Sequence, residues 1–277
     1  MEYKLLAADM DGTALDDNKN LGERTVKAME RAIASGKTVL FSTGRSISLV
    51  KPYIDMVHGM RYAVTASGAS VLDLKTGEKL LHKTIDPETV KYIIAQASGR
   101  YVMPVMFIND KSYGSRWCVD HCADFGLDTY GPIYRRHMNI VDDVFAMYME
   151  NPEPVEKFNL FFANDYEAAE VLKKLRELPL TFTCVTDSSL EINASGVSKA
   201  EGLKTLCARL AIEPAECIAV GDSENDEPML KLCGLSAATA NATDKVKAMA
   251  DVLAPDCNND PVAQIIDAKV KSKSRKN

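Results

Sequence analysis

Two carboxylates stand one residue apart in the segment Asp9-Met10-Asp11-Gly12-Thr13, which directly follows the apolar run Tyr3–Ala8. In an open α/β sheet, ligands bind outside the carboxyl ends of the strands, so this position favours chemistry over packing. Two neighbouring carboxylates repel each other unless a cation or a proton lies between them. The spacing therefore predicts a metal site, and Mg²⁺ is the expected ion because it prefers hard oxygen ligands.

A second acidic segment, Gly221-Asp222-Ser223-Glu224-Asn225-Asp226, follows the apolar run Cys217–Val220 in the same way. Between the two acidic segments lie Ser42-Thr43-Gly44-Arg45, behind another apolar run, and Lys199. In a doubly wound sheet these pieces can converge on one crevice. Carboxylates would then hold Mg²⁺ while a hydroxyl and an ammonium bind an anion, which is most simply a phosphoryl group.

The elements that must position these residues alternate between strand and helix near both ends of the chain. This alternation is typical of βαβ units and predicts a Rossmann-like, doubly wound parallel sheet. The predicted strands are Lys4–Ala8, Thr38–Ser42, Tyr62–Ala66, Val71–Asp73, Lys79–His82 and Cys217–Val220. Helices are predicted over Glu23–Ser35 and after Ser198, a residue that can cap a helix.

The middle of the chain has a different pattern, which predicts an inserted α+β domain with its own sheet. Its predicted helices are Pro87–Ser98 and Tyr166–Glu177. Its predicted strands are Val102–Ile108, Val144–Tyr148, Phe158–Ala163, Thr181–Val185 and Leu190–Ile192. We therefore expect a core domain over residues 1–82 and 190–277 and an inserted domain over residues 83–189.

Composition narrows the choice of partners and location. With 277 residues, 46% of them hydrophobic, the chain can bury a full core, whereas its net charge of −6 disfavours nucleic acid. No apolar run approaches the ~20 residues that span a bilayer, and no signal-peptide pattern precedes Asp9. Seven scattered cysteines fit reduced thiols, so we expect a soluble cytoplasmic protein. A separate expectation is a monomer or weak homodimer. The basic segment Lys269–Asn277 is interpreted as a solvated end.

Taken in order, the four motifs resemble those of haloacid dehalogenase superfamily phosphatases, specifically the Cof-like group (type IIB) with an inserted C2B-type cap. The matching segments are Asp9–Thr13, Ser42–Arg45, Lys199 and Gly221–Asp226. The chain departs from the group elsewhere: Ser67-Gly68-Ala69 stands where Asn-Gly-Ala is usual. The resemblance implies a phosphatase whose inserted domain selects a small phosphorylated metabolite, such as a sugar phosphate or a phosphorylated cofactor.

Residue roles follow from the resemblance. Asp9 is expected to attack phosphorus and form an aspartyl-phosphate, and Asp11 to act as general acid and base. The residues expected to bind the phosphoryl group are Thr43, Gly44, Lys199 and Asn225. The expected Mg²⁺ ligands are the carboxylates of Asp9 and Asp222 and the main-chain carbonyl of Asp11, with Asp226 contacting the ion directly or through water. An aspartate at position 11 favours ester hydrolysis, because an alkoxide leaving group needs a proton and a halide does not.

Other interpretations remain open from the residues. A phosphomutase of the phosphomannomutase type has a similar architecture, and a non-catalytic protein that binds phosphorylated metabolites could use the same scaffold. The segment Cys118-Val119-Asp120-His121-Cys122 resembles half of a zinc site, but a structural zinc needs four ligands and no second cluster accompanies it.

Overall fold

Runs of apolar and small residues form the central strands, and a polar residue stands at the end of each of them or within the next two residues. The computed structural model describes residues 2–183 and 187–270. The end of the strand predicted at Thr181–Val185, and residues 271–277 of the basic tail, lie outside the described residues. In chain order the strands are β1 (Leu5–Ala8), β2 (Thr38–Ser42), β3 (Tyr62–Thr65), β4 (Ser70–Asp73), β5 (Glu78–His82), β6 (Val102–Ile108), β7 (Lys111–Ser115), β8 (Asn139–Val141), β9 (Lys157–Phe162), β10 (Leu180–Thr183), β11 (Ser189–Ala194), β12 (Cys217–Gly221), β13 (Leu235–Thr239) and β14 (Val252–Ala254).

The helices begin mostly at polar caps or prolines, as expected for helix N-termini. In chain order they are α1 (Glu23–Ala34), α2 (Ile47–Ile54), α3 (Pro87–Ala97), α4 (Arg116–Asp120), α5 (Gly131–His137), α6 (Val144–Glu150), α7 (Asp165–Leu175), α8 (Lys199–Leu210), α9 (Glu227–Leu232), α10 (Asp244–Met249) and α11 (Pro261–Lys269).

The chain divides into two units. The first runs to Gly44, includes Lys51–Leu81 and resumes at Ser198; the second comprises Arg45–Val50 and His82–Val197. The expected boundary at residue 190 falls inside β11, which is hydrogen-bonded to β9 and β10 in the sheet of the second unit. The boundary between the units therefore falls between Val197 and Ser198 along the chain, because those hydrogen bonds include β11 in the inserted sheet.

The first unit is built on a sheet of strand order β14-β13-β12-β1-β2-β3-β4-β5. The pairs from β14 to β3 are parallel, and β4 is antiparallel to β3. Numbered along the chain, the parallel strands follow the order 3-2-1-4-5-6 of doubly wound dinucleotide-binding sheets. The order reverses between β1 and β12, which is where such folds bind ligands. The predicted fold class is confirmed.

Helices cover this sheet on both faces. Leu5 and Ala7 of β1 pack with Leu203 and Leu206 of α8 in one apolar cluster. By strand alternation Leu6 and Ala8 point to the opposite face, where α1 packs against β2 and α11. Burial on both faces explains why these strands are continuous apolar runs in the sequence.

The second unit has a mixed sheet of order β10-β11-β9-β6-β7-β8, with α3 and α7 packed against it. The strand predicted at Val144–Tyr148 is wrong, because this segment is helix α6. The carboxylate of Asp143 accepts hydrogen bonds from the backbone N–H groups of Phe145 and Ala146 and so caps the helix. Val144 and Tyr148, one helical turn apart, are fully buried.

Gly68 lies in the turn between β3 and β4, and this turn packs closely against the start of α8. Gly68 has φ of +100°, and a Cβ at this position would lie 2.0 Å from the carbonyl oxygen of Ser198. An L side chain would therefore be strained by the backbone conformation and would also displace the first turn of α8. The small residue at position 68 allows Lys199 to begin its helix beside the ends of β1 and β12.

Replacing Gly68 with alanine should lower the free energy of unfolding by roughly 2–5 kcal/mol, because left-handed strain and steric overlap add. Gly77→Ala is the matched control: Gly77 has φ of +75°, but its Cβ would meet nothing within 4 Å. That variant should cost about 1–2 kcal/mol, which is the conformational part alone. Urea denaturation measures both values, and equal losses in the two variants would show that the contact with Ser198 is not limiting.

Candidate active site

Asp9 lies where the strand order of the sheet reverses. Its backbone N–H donates to the carbonyl of Val220 at 2.9 Å, so the pairing of β1 with β12 continues past the end of β1. Asp222 follows directly on Gly221, the last residue of β12. The acidic segments found in the sequence therefore meet across two neighbouring strand ends, as predicted from the doubly wound topology.

The turn after β1 joins the two acidic segments. The backbone N–H groups of Thr13 and Leu15 both donate to the carbonyl of Met10. Gly12 has φ of +74°, and a Cβ there would lie 2.5 Å from Oδ2 of Asp222. The hydroxyl of Thr13 donates to Oδ1 of Asp222 at 2.8 Å. Gly12 and Thr13 therefore allow the first loop to pack against the second and hold the Asp222 carboxylate.

Lys199 is the first residue of α8 and is 1% exposed. Ser198 caps the helix, since its hydroxyl accepts from the backbone N–H of Glu201 at 3.2 Å. The ammonium of Lys199 donates to Oδ1 of Asp9 at 2.5 Å and to Oδ1 of Asp226 at 2.6 Å. A buried ammonium is stable only when carboxylates replace the water it loses, and these two carboxylates do so.

Asp226 also organises its own loop. Its Oδ2 accepts hydrogen bonds from the backbone N–H groups of Asp222 at 3.0 Å and Ser223 at 3.1 Å. Asn225 lies in the same loop, and its Oδ1 accepts from the hydroxyl of Ser223 at 2.9 Å. Asp226, which is fully buried, therefore fixes both the loop that presents Asp222 and the position of Lys199.

One oxygen from each of Asp9, Asp222 and Asp226 lies within 4.8 Å of the others. Burial raises the pKa of Asp9 well above its ordinary value, Lys199 opposes this shift, and Asp226 and Asp222 add to it. Burial, and then the charge of Asp226, raises the pKa of Asp222 to about 6. Three crowded carboxylates with one ammonium are short of positive charge, so these hard oxygen donors fit a divalent cation such as Mg²⁺.

The charge state of Lys199 is set by two opposing effects. Burial by itself would lower the pKa of the ammonium, but Asp226 and Asp9 outweigh it and raise the pKa. Lys199 is therefore a permanent cation at neutral pH. A fixed positive charge next to Asp9 is suited to bind and neutralise an anion placed there.

Asp11 lies apart from the group of three carboxylates. Its Oδ1 pairs with the ammonium of Lys19 at 2.9 Å. Thr43 and Gly44 follow β2 at the same edge of the sheet, since Phe41 is the register partner of Ala8. Thr43 is buried, its N–H donates to Val64 O, and its carbonyl accepts from Ser67. The structure thus brings Asp9, Lys199, Asp222 and Asp226 into direct contact or close approach and places the other predicted residues around them.

Sequence reasoning missed three side chains that hold the first loop. Lys19 pairs with Asp11, while Asn241 and Thr239 donate to the carbonyl of Gly12 at 2.8 and 3.3 Å. The signal that could have found Asn241 is its position as a polar residue two places after the end of β13. Lys19 stands in a polar loop without any local pattern that singles it out.

The cysteine and histidine segment of the second unit does not form a metal site. Cys118 is buried and its thiol donates to the carbonyl of Val102, and burial raises its pKa to about 11. The ring of His121 stacks on Trp117 instead. Within residues 2–183 and 187–270, the grouping of three carboxylates around Asp9 is the one that gathers three potential metal ligands.

Known proteins resemble this chain over almost its whole length. The family model described as haloacid dehalogenase-like hydrolase matches residues 6–266. A 5-amino-6-(5-phospho-D-ribitylamino)uracil phosphatase of Bacillus subtilis, YcsE, is 28% identical over 271 residues, which cover 96% of this chain and 95% of the relative.

Solved structures share the fold. A haloacid dehalogenase-like hydrolase from Bacteroides thetaiotaomicron superposes with a TM-score of 0.82 at 21% identity, covering 96% of this chain and 99% of that one. The subclass IIB sugar phosphatase BT4131 gives a TM-score of 0.76 at 20% identity, with 96% and 98% covered. Because the family model matches residues 6–266 of the 277, this chain belongs to the haloacid dehalogenase-like hydrolases and is a phosphatase of their Cof-like group.

Proposed function

We propose that the protein is a Mg²⁺-dependent phosphatase that hydrolyses a small phosphate monoester through an aspartyl-phosphate. The observation that supports this most is the contact of Lys199 with Asp9 beside Asp222 and Asp226. This arrangement provides a nucleophile, a permanent cation and a place for a divalent metal within a few ångströms. Phosphoryl transfer depends mainly on such positioning and charge neutralisation.

In the first half of the reaction, an oxygen of Asp9 attacks phosphorus as the bond from phosphorus to the leaving oxygen breaks. Lys199 holds Oδ1 of Asp9, which fixes the orientation of the attacking carboxylate. The carboxylates of Asp9, Asp222 and Asp226 would hold Mg²⁺ with the main-chain carbonyl of Asp11, and the ion would supply charge neutralisation for the phosphoryl oxygens. Asp226 keeps Lys199 and the Asp222 loop in place throughout.

Asp11 acts as the general acid and then as the general base. It donates a proton to the leaving oxygen in the first half of the reaction and takes one from water in the second. The phosphoryl oxygens would be bound by Thr43 and Gly44, which follow β2, by Lys199 at the start of α8 and by Asn225 in the loop after β12. The Asp11 carboxylate pairs with Lys19 and is not one of the three grouped carboxylates, which supports a role in proton transfer for this side chain that is separate from metal binding.

The substrate class comes from the relatives and the architecture. One relative acts on a phosphorylated ribitylaminouracil and one structural neighbour is a sugar phosphatase, so a polar, low-molecular-weight phosphate monoester is the proposed substrate. We propose that the inserted unit is the cap domain that selects the leaving group. Its separate apolar core, around Val90, Tyr148 and Phe158, supports its assignment as a domain in its own right.

Asp9→Asn should abolish turnover, lowering kcat by on the order of a thousandfold or more, because an amide is not a nucleophile toward phosphorus. The measurement is release of inorganic phosphate from a panel of sugar phosphates and phosphorylated cofactors, with Mg²⁺ and with a chelator. Asp267→Asn, which removes an exposed carboxylate paired with Arg31 on the surface, is the control and should retain full activity.

Normal turnover by Asp9→Asn would contradict the aspartyl-phosphate mechanism. The same panel separates a phosphatase from a phosphomutase, since a mutase moves phosphate between two hydroxyls of its substrate with little net release. Phosphate transfer without release would replace the proposed hydrolysis with the phosphomutase alternative.

Asp222→Asn should weaken Mg²⁺ binding at least about tenfold, because it removes one anionic oxygen ligand and leaves an amide in its place. The measurement is the rise in melting temperature as Mg²⁺ is added to chelator-treated protein, which needs no turnover. Asp256→Asn, a change in a loop cap outside the acidic group, is the matched control. An unchanged Mg²⁺ response in Asp222→Asn would place the metal elsewhere.

A further inference from the structure

Lys19 makes an ion pair with Asp11 that the established family chemistry does not explain. Its ammonium lies 2.9 Å from Oδ1 of Asp11, and the two side chains are only 14% and 26% exposed. Surface ion pairs between freely exposed side chains contribute little because water and salt screen them. This pair is largely shielded, so it restrains the carboxylate more strongly than a surface pair does.

Hydrogen bonds hold the backbone at Lys19 in an unusual conformation. Lys19 has φ of +62°, a left-handed conformation that costs a non-glycine residue about 1–2 kcal/mol. The strained residue is held by a turn in which its N–H donates to the carbonyl of Asp16, and Asp16 N–H donates to the carbonyl of Asn20. The hydroxyl of Tyr53, from α2, donates to the carbonyl of Lys19 at 2.9 Å.

The ion pair between Lys19 and Asp11 contributes to the charge balance of the site. The site gathers four carboxylates, of which Asp9 and Asp226 contact Lys199 and Asp11 contacts Lys19. Two ammonium groups and one divalent cation would neutralise the four carboxylates before a phosphate dianion enters. The ammonium of Lys19 therefore compensates the Asp11 carboxylate, which stands only two residues from Asp9 in the chain.

We propose that Lys19 is a positioning residue that holds the Asp11 carboxylate in the orientation needed to take a proton from water. The proposal rests on the proposed function and concerns its second half-reaction. In that step the water oxygen bonds to phosphorus, the bond from phosphorus to the Asp9 oxygen breaks with its electron pair passing to Asp9, and the water proton passes to Asp11. Because Lys19 holds Oδ1, it fixes the direction of Oδ2 through the side-chain torsions of Asp11.

The test uses p-nitrophenyl phosphate, whose leaving group departs without a proton, so that only the second half-reaction depends on Asp11. Lys19→Asn removes the ammonium but keeps a residue that tolerates left-handed backbone, and Lys19→Gly removes both side chain and strain. We expect both variants to lower kcat about tenfold or more, to keep kcat/KM within about threefold, and to show a burst of p-nitrophenolate that approaches the enzyme concentration.

Lys19→Arg should restore most of kcat, because a guanidinium can also bind the Asp11 carboxylate. Lys27→Gln, which removes an exposed lysine from α1, should behave as the unchanged protein. Equal losses of kcat and kcat/KM without a burst would overturn the role of Lys19. Failure of the unchanged protein to release p-nitrophenolate would instead overturn the proposed function.

Discussion

The rest of the site depends on one buried cation. The Lys199 ammonium has lost nearly all contact with water, and its charge is compensated by Asp9 at the end of β1 and by Asp226 in the loop after β12. Removing water from three charges is costly unless their geometry is good, so the fold must bring two strand ends and one helix start to within hydrogen-bonding distance. The parallel register of β1 with β12 and the close approach of Gly68 to Ser198 meet that requirement.

The same compensation explains why the carboxylates divide into two groups. Asp9, Asp222 and Asp226 share a crowded, buried space in which burial raises the pKa of Asp9 and of Asp222, so they accommodate a divalent cation. Asp11 is only two residues from Asp9, yet it is balanced by its own ammonium, Lys19. Two acids that are equivalent in the sequence therefore acquire different electrostatic surroundings, which is how one fold can assign them different chemistry.

Regular elements with strong patterns could be predicted from the chain, and elements with ambiguous patterns could not. The helix at Glu23–Ala34 and the strand at Thr38–Ser42 have the expected periodicity and nearly the expected bounds. The short apolar run Val144–Tyr148 fits either a strand or a buried helix. The helix forms because the Asp143 side chain accepts hydrogen bonds from the backbone N–H groups of its first turn. The end of the inserted unit was placed too early, because pairing of β11 with β9 is a long-range property that residue types do not encode.

The sequence by itself determined the strand ends, the acidic segments behind them and the lysine between them, because strands, turns and caps follow from local residue types and spacing. Only the tertiary structure determined which charged or polar side chain interacts with which partner. Thr13 donates a hydrogen bond to Asp222, Lys199 donates to both Asp9 and Asp226, and Lys19 forms an ion pair with Asp11. The physical reason is that a local pattern sets the direction of a side chain relative to its own helix or strand, whereas its partner is set by how distant elements pack together.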